Sequence, residues 1–162
     1  MSNVIREIYT KALLAKGKNE TVTTRHITIE KNCTSILGCW IVNHHHFGTI
    51  ENEQVKVKGN YDVHLWYSYD EICSDIEICH IEYEELIKLE KIDVKKICAS
   101  DEAISEVIDE PKCIKATIVN PHEILLELEK TMGVNVVGET MIKIEMKESE
   151  NSINHINPDF IQ

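Results

Sequence analysis

From Val55 to Tyr69 the chain alternates without a break. Odd positions hold Val55, Val57, Gly59, Tyr61, Val63, Leu65, Tyr67 and Tyr69, and even positions hold Lys56, Lys58, Asn60, Asp62, His64, Trp66 and Ser68. Period-two alternation of this kind marks a strand with one face buried. Gly59-Asn60 has the composition of a hairpin turn, but the pairing it would impose is wrong. Lys58 would oppose Tyr61 and Val57 would oppose Asp62, mixing apolar and polar residues on each face. One long strand, kinked or bulged at Gly59, keeps the apolar set together. At ~3.3 Å per residue a straight run would reach roughly 50 Å, so bending is expected.

Several other segments share this period. Thr21–Glu30 places Thr21, Thr23, Arg25, Ile27 and Ile29 on one side, and Ile36–Asn43 is a nearly continuous apolar run suited to a central strand, with Trp40 in the core. His44–Asn52 reads as polar and turn-like. Ile76–Tyr83 shifts its apolar residues from even to odd positions, which predicts a bulge. Lys112–Val119, the row Ile124, Leu126, Leu128, and the stretch from Val134 through Gly138 to Met146 alternate again. Val4–Ala15 fits either a helix or a strand, ended by Gly17-Lys18-Asn19. Glu84–Ala99 mixes both spacings, and Asp101–Asp109 suits a short helix or a strand stopped by Pro111. The sum is an all-β chain, mainly an antiparallel β-sandwich with room for one short helix. Residues 1–147 would make a single domain and 148–162 a polar, flexible tail.

The 162 residues are 43% hydrophobic and 28% charged, which is a globular composition. The net charge of −11 is uneven: residues 1–31 carry +3, leaving −14 for the rest. With no basic stripe to neutralise phosphates, nucleic acid is disfavoured as a partner. No apolar run reaches membrane-span length and the start lacks a signal-peptide core, so a cytosolic protein without membrane insertion is expected. The six cysteines, Cys33, Cys39, Cys73, Cys79, Cys98 and Cys113, match no common zinc spacing. Free thiols are one reading of them; cross-links formed late, in an oxidising assembly, are the other.

Candidate chemistry is sparse. His44 and His46 would share a strand face and are candidate metal ligands, although no acid or cysteine lies close in sequence to complete a site. No catalytic motif is present, so neither an enzyme nor a cofactor is expected. Trp66, on the polar face beside Asp62 and His64, has the character of a protein–protein anchor.

Six stretches, REIYTKALLAKGK, SILGCWIVNH, VKVKGNYDVHLWYSY, EPKCIKATI, VVGET and INPDF, occur in this order over nearly the whole chain. In them the sequence resembles the outer spore coat morphogenetic protein CotE family of endospore-forming bacteria. The resemblance implies a structural protein that self-associates into a layer around the forespore and recruits other outer coat proteins. It implies residence in the mother-cell cytoplasm and then in the spore coat, with no cofactor or catalysis. Ser35–Trp40 and Tyr61–Tyr69, including Cys39 and Trp66, would belong to the common framework; Cys113 and Val136–Thr140 would mark later strands. The chain departs from the expected pattern in its shorter acidic segment, where Glu145, Glu148 and Glu150 remain, and in cysteines 33, 73, 79 and 98, which look additional. Self-contact is then expected at Trp66, His64 and Asp62, reinforced through Cys39, Cys73, Cys79 and Cys113. Partner recruitment is expected at Ile156, Asn157, Pro158, Asp159 and Phe160. Two alternatives are a monomeric adaptor and a metal-binding module built on His44–His46.

Overall fold

Seven strands carry the fold in the computed structural model, which describes residues 3–92 and 96–147. They are β1 (Asn3–Thr28), β2 (Cys33–Glu51), β3 (Gln54–Tyr69), β4 (Cys73–Lys88), the two-residue β5 (Glu90–Lys91), β6 (Glu102–Asn120) and β7 (Glu123–Lys147). Among the described residues none is helical, so the short helix that the sequence allowed is not there. One sheet has the order β5-β1-β7-β6 and the other β2-β3-β4. The pairings β2–β3, β3–β4 and β6–β7 are all antiparallel.

The alternating stretch is the middle strand of the three-stranded sheet. β3 pairs with β4 from Gln54↔Lys88 to Tyr69↔Cys73 with no register shift. Gly59 is therefore neither kink nor bulge in that ladder. A Cβ there would run into the far end of the Tyr83 ring, so the glycine makes room for an aromatic neighbour. The bulge expected in Ile76–Tyr83 is likewise absent. That segment changes parity because both of its faces carry apolar residues, Ile81 inward at 4% exposure and Ile76 and Ile78 outward.

Within the three-stranded sheet the irregularities fall on β2, which is an edge strand rather than the central one anticipated. One lies between Val42 and His45, where Asn43 takes a φ of 57° that asparagine tolerates. The strand then runs on to Glu51, so His44–Asn52 is strand except at its end, and Asn52-Glu53 makes the turn into β3. β1 passes through Gly17-Lys18-Asn19 instead of stopping there. β6 passes through Pro111, which lies within the register shift between Asp109 and Lys112, where the missing N–H costs no regular ladder bond.

Leu13–Gly138 form one compact unit. Its inward rows are Val55, Val57, Val63 and Leu65 of β3 and Ile124, Leu126, Met132, Val134 and Val136 of β7, all at 0–1% exposure. Each such side chain contributes about 1.5–3 kcal/mol through removal from water. These rows divide into two apolar clusters. One holds Ile27, Tyr61, Val63, Leu65, Ile81, Ile124, Leu126 and Leu128; the other holds Ala15, Val55, Val57, Ile87, Met132, Val134 and Val136. Residues 1–12 and 139–162 make up the second unit, whose described part includes an ion pair between Glu7 and Lys143 at 3.9 Å.

Candidate interaction surface

The even row of β3 faces away from the core, and its neighbours on both sides build an aromatic and aliphatic patch. Trp66 stands between Gly38 of β2 and Ile76 of β4; His64 stands between Trp40 and Ile78. Trp40 and Trp66 are each 40% exposed, Ile76 45% and Ile78 59%. Gly38 eases the fit of Trp40, since a Cβ there would sit tightly at 3.3 Å from its ring and in ordinary contact, at 3.7 Å, with the Trp66 ring. The Trp40 and His64 rings are 5.9 Å apart. Trp40 is thus not a core residue. The apolar run that suggested burial belongs to a strand with apolar residues on both faces, and Trp40 lies on the outer one.

Beyond His64 the patch turns polar. Asp62 pairs with Nδ1 of His80 at 2.7 Å and accepts a hydrogen bond from Nδ2 of Asn43 at 3.0 Å. These two contacts hold its carboxyl below the usual carboxylate range, His80 being the larger influence. On the opposite, core-facing side of the sheet, Lys31 pairs with Asp75 at 2.7 Å and lies over the Tyr69 ring. An apolar centre with tryptophans, edged by the polar group of Asp62, His80 and Asn43, has the composition of a protein–protein contact. Trp66, His64 and Asp62, selected from the sequence, do lie together on this face.

His44 and His46 lie on the other side of the sheet. The irregularity at Asn43 reverses the parity of β2, so that both rings enter a polar belt between the two apolar clusters. Nε2 of His44 is 2.7 Å from the Tyr83 hydroxyl, Nδ1 of His46 is 2.6 Å from Oγ of Ser105, and the two imidazoles are 5.1 Å apart. Burial, then the charges of His46, Lys130 and His45, pushes the His44 pKa down to about 4, favouring the neutral ring. Among the described residues no group of three or more histidines, cysteines and acids comes together to hold a metal.

The same belt holds a pair that the sequence reading passed over. Lys130 lies on β7 between Leu128 and Met132, and Glu85 on β4 between Tyr83 and Ile87. Their signal was available: each is a charge flanked at i−2 and i+2 by apolar or aromatic residues of an inward row. Lys130 also donates to Oγ1 of Thr21 at 2.7 Å and lies 4.0 Å from the Tyr83 ring centre.

All six cysteines are free thiols. Cys73 and Cys98 are exposed, Cys33 is buried, and Cys39, Cys79 and Cys113 are partly buried. Cys39 and Cys113 lie near enough that each shifts the pKa of the other. The proposed recruitment residues Ile156–Phe160 lie outside the described residues.

Residues 4–159 match the family model described as Outer spore coat protein E (CotE), which spans nearly the whole chain. No curated protein and no solved structure matches.

Proposed function

The chain belongs to the CotE family of outer spore coat proteins, and on that premise we propose that it is a non-enzymatic scaffold that self-associates into a coat layer. In this reading it assembles in the mother-cell cytoplasm, becomes part of the spore coat, and recruits further coat proteins. The exposed patch of Trp40, Trp66, Ile76 and Ile78 carries the reading, because apolar surface of this kind is costly to leave against water unless something covers it. His64 and Asp62 would border the contact. β4 is an edge of its sheet, which gives a second route for strands of neighbouring subunits to meet. Cys73 and Cys98 are exposed, and in this reading they would reinforce contacts between subunits once the surroundings oxidise.

Size-exclusion chromatography with light scattering tests this. The full chain, with reductant present, is expected to elute as a species larger than a monomer. W40A/W66A is expected to shift it toward monomer with an unchanged far-ultraviolet circular dichroism spectrum. A wild-type chain that stays strictly monomeric at micromolar concentration would sink self-association and leave the monomeric adaptor. Recruitment through the terminal segment is tested separately, by comparing coat proteins captured by the full chain and by a chain ending at Lys147.

A further inference from the structure

Two strands of different sheets, β2 and β6, lie against each other in the unit formed by Leu13–Gly138. Their contacts run in opposite directions along the two strands. Near one end a Cβ on Gly48 would be 3.6 Å from the Cβ of Ala103. Next, Nδ1 of His46 bonds Oγ of Ser105 at 2.6 Å. Continuing the same alignment past the Asn43 irregularity of β2 and the register shifts of β6 at Val107/Asp109 and Asp109/Lys112 brings Cys39 opposite Cys113, near enough for each thiol to shift the pKa of the other. Both side chains are partly buried and pack against the same apolar cluster, Cys39 across from Leu65 and Cys113 across from Leu128. Neighbours on both strands fix this meeting; it is not a chance approach of two mobile side chains.

We propose that Cys39 and Cys113 are a redox modification site, closing to an intramolecular disulfide that staples the two sheets of one chain together. The oxidant is a small-molecule disulfide such as glutathione disulfide. The Cys113 thiolate attacks one sulfur of the oxidant, breaking its S–S bond and releasing one small thiolate. Cys39, losing its proton to solvent, then attacks the Cys113 sulfur of the mixed disulfide and expels the second. Two protein thiols are oxidised and one disulfide is reduced to two thiols, so electrons and protons balance. The environment favours this order of attack. Proximity to Cys39 draws the Cys113 thiol pKa down to about 7, whereas the same proximity and burial push Cys39 up. The chain between the two cysteines includes all of β3 and β4, a long loop whose closure removes much freedom from the unfolded chain. The staple is independent of self-association, because both sulfurs belong to one subunit.

The test uses the full chain and its C73S/C98S variant, which lacks the two exposed thiols. Each is equilibrated with mixtures of reduced and oxidised glutathione, alkylated, and mapped by mass spectrometry without reduction. The expected result is a Cys39–Cys113 linked peptide pair from protein that still runs as a monomer on a denaturing, non-reducing gel. In C73S/C98S the oxidised form should melt about 10 °C above its own reduced form. Two results overturn the proposal: alkylation of both Cys39 and Cys113 under conditions that oxidise Cys73 and Cys98, or recovery of either residue only in links between chains. Comparing two redox forms of the same polypeptide avoids dependence on a substitution at Cys39 or Cys113 that fails to fold.

Discussion

Nζ of Lys130 lies 3.4 Å from Oε2 of Glu85, with both side chains only 8% exposed. Burial alone lowers the Lys130 pKa, and the Glu85 carboxylate opposes that shift. Asn19 donates to the same Oε2 at 3.4 Å, while Oε1 of Glu85 is buried without a hydrogen-bond partner. The ion pair therefore sits between two apolar clusters with one oxygen unsatisfied, an arrangement whose desolvation cost rivals its Coulombic gain.

Removing one partner should be far worse than removing both. K130M would leave Glu85 as an uncompensated charge and is expected to destabilise by about 3–5 kcal/mol. The double variant K130M/E85L should recover most of that loss. Urea unfolding of the two single variants and the double variant checks this, and simple additivity of the single losses would contradict it.

His44 makes stability depend on mildly acidic pH. Its folded pKa of about 4 lies below the ordinary 6.5, so between those values the unfolded chain holds a proton that the folded chain excludes. Stability then rises with pH across that window and is lost as pH falls from 6.5 toward 4, at up to about 1.4 kcal/mol per pH unit. The groups facing His44 are Tyr61, Tyr83, His46, His45 and Lys130. Melting temperatures recorded from pH 7 to pH 4 should show a shallower decline for H44F than for the wild type.

Gly59 and Tyr83 form a steric pair across the β3–β4 ladder. The atoms that an added Cβ would strike are Cζ, Oη and Cε1 of the ring. G59A is expected to cost about 1–3 kcal/mol in the wild type. Leucine lacks those outer atoms, so the same change in a Y83L background should cost much less. Chemical denaturation of the four proteins in this cycle measures the coupling.

The alternating rows were legible because burial on one face imposes parity directly on the sequence. β3 and the Ile124–Val136 part of β7 are the plainest cases. Parity misled where a strand carries apolar residues on both faces: Ile76 and Ile78 were read as evidence of a bulge, and Trp40 as core. Gly17 and Pro111 were read as stops. Their meaning depends on what lies across the sheet, since a Cβ on Gly17 would meet the Lys88 backbone carbonyl and Pro111 falls in a ladder irregularity. On the outer surface, Trp66, His64 and Asp62 could be assigned to one face by counting alone. Their association with Trp40 and Ile78 required the registers of two further strands. The meeting of Cys39 with Cys113 is a contact between sheets, for which no local pattern exists.

The neighbourhood of Gly38 has one more consequence. Gly38 lies beside Trp40 and opposite Trp66, where the register of β2 and β3 puts both tryptophans of the chain on a single face. Selectively excited tryptophan emission therefore reports on that face alone. A partner settling there would change the whole signal at once, while the tyrosines of the interior, Tyr61, Tyr67 and Tyr83, stay silent. The protein carries an intrinsic optical label on the surface proposed for assembly.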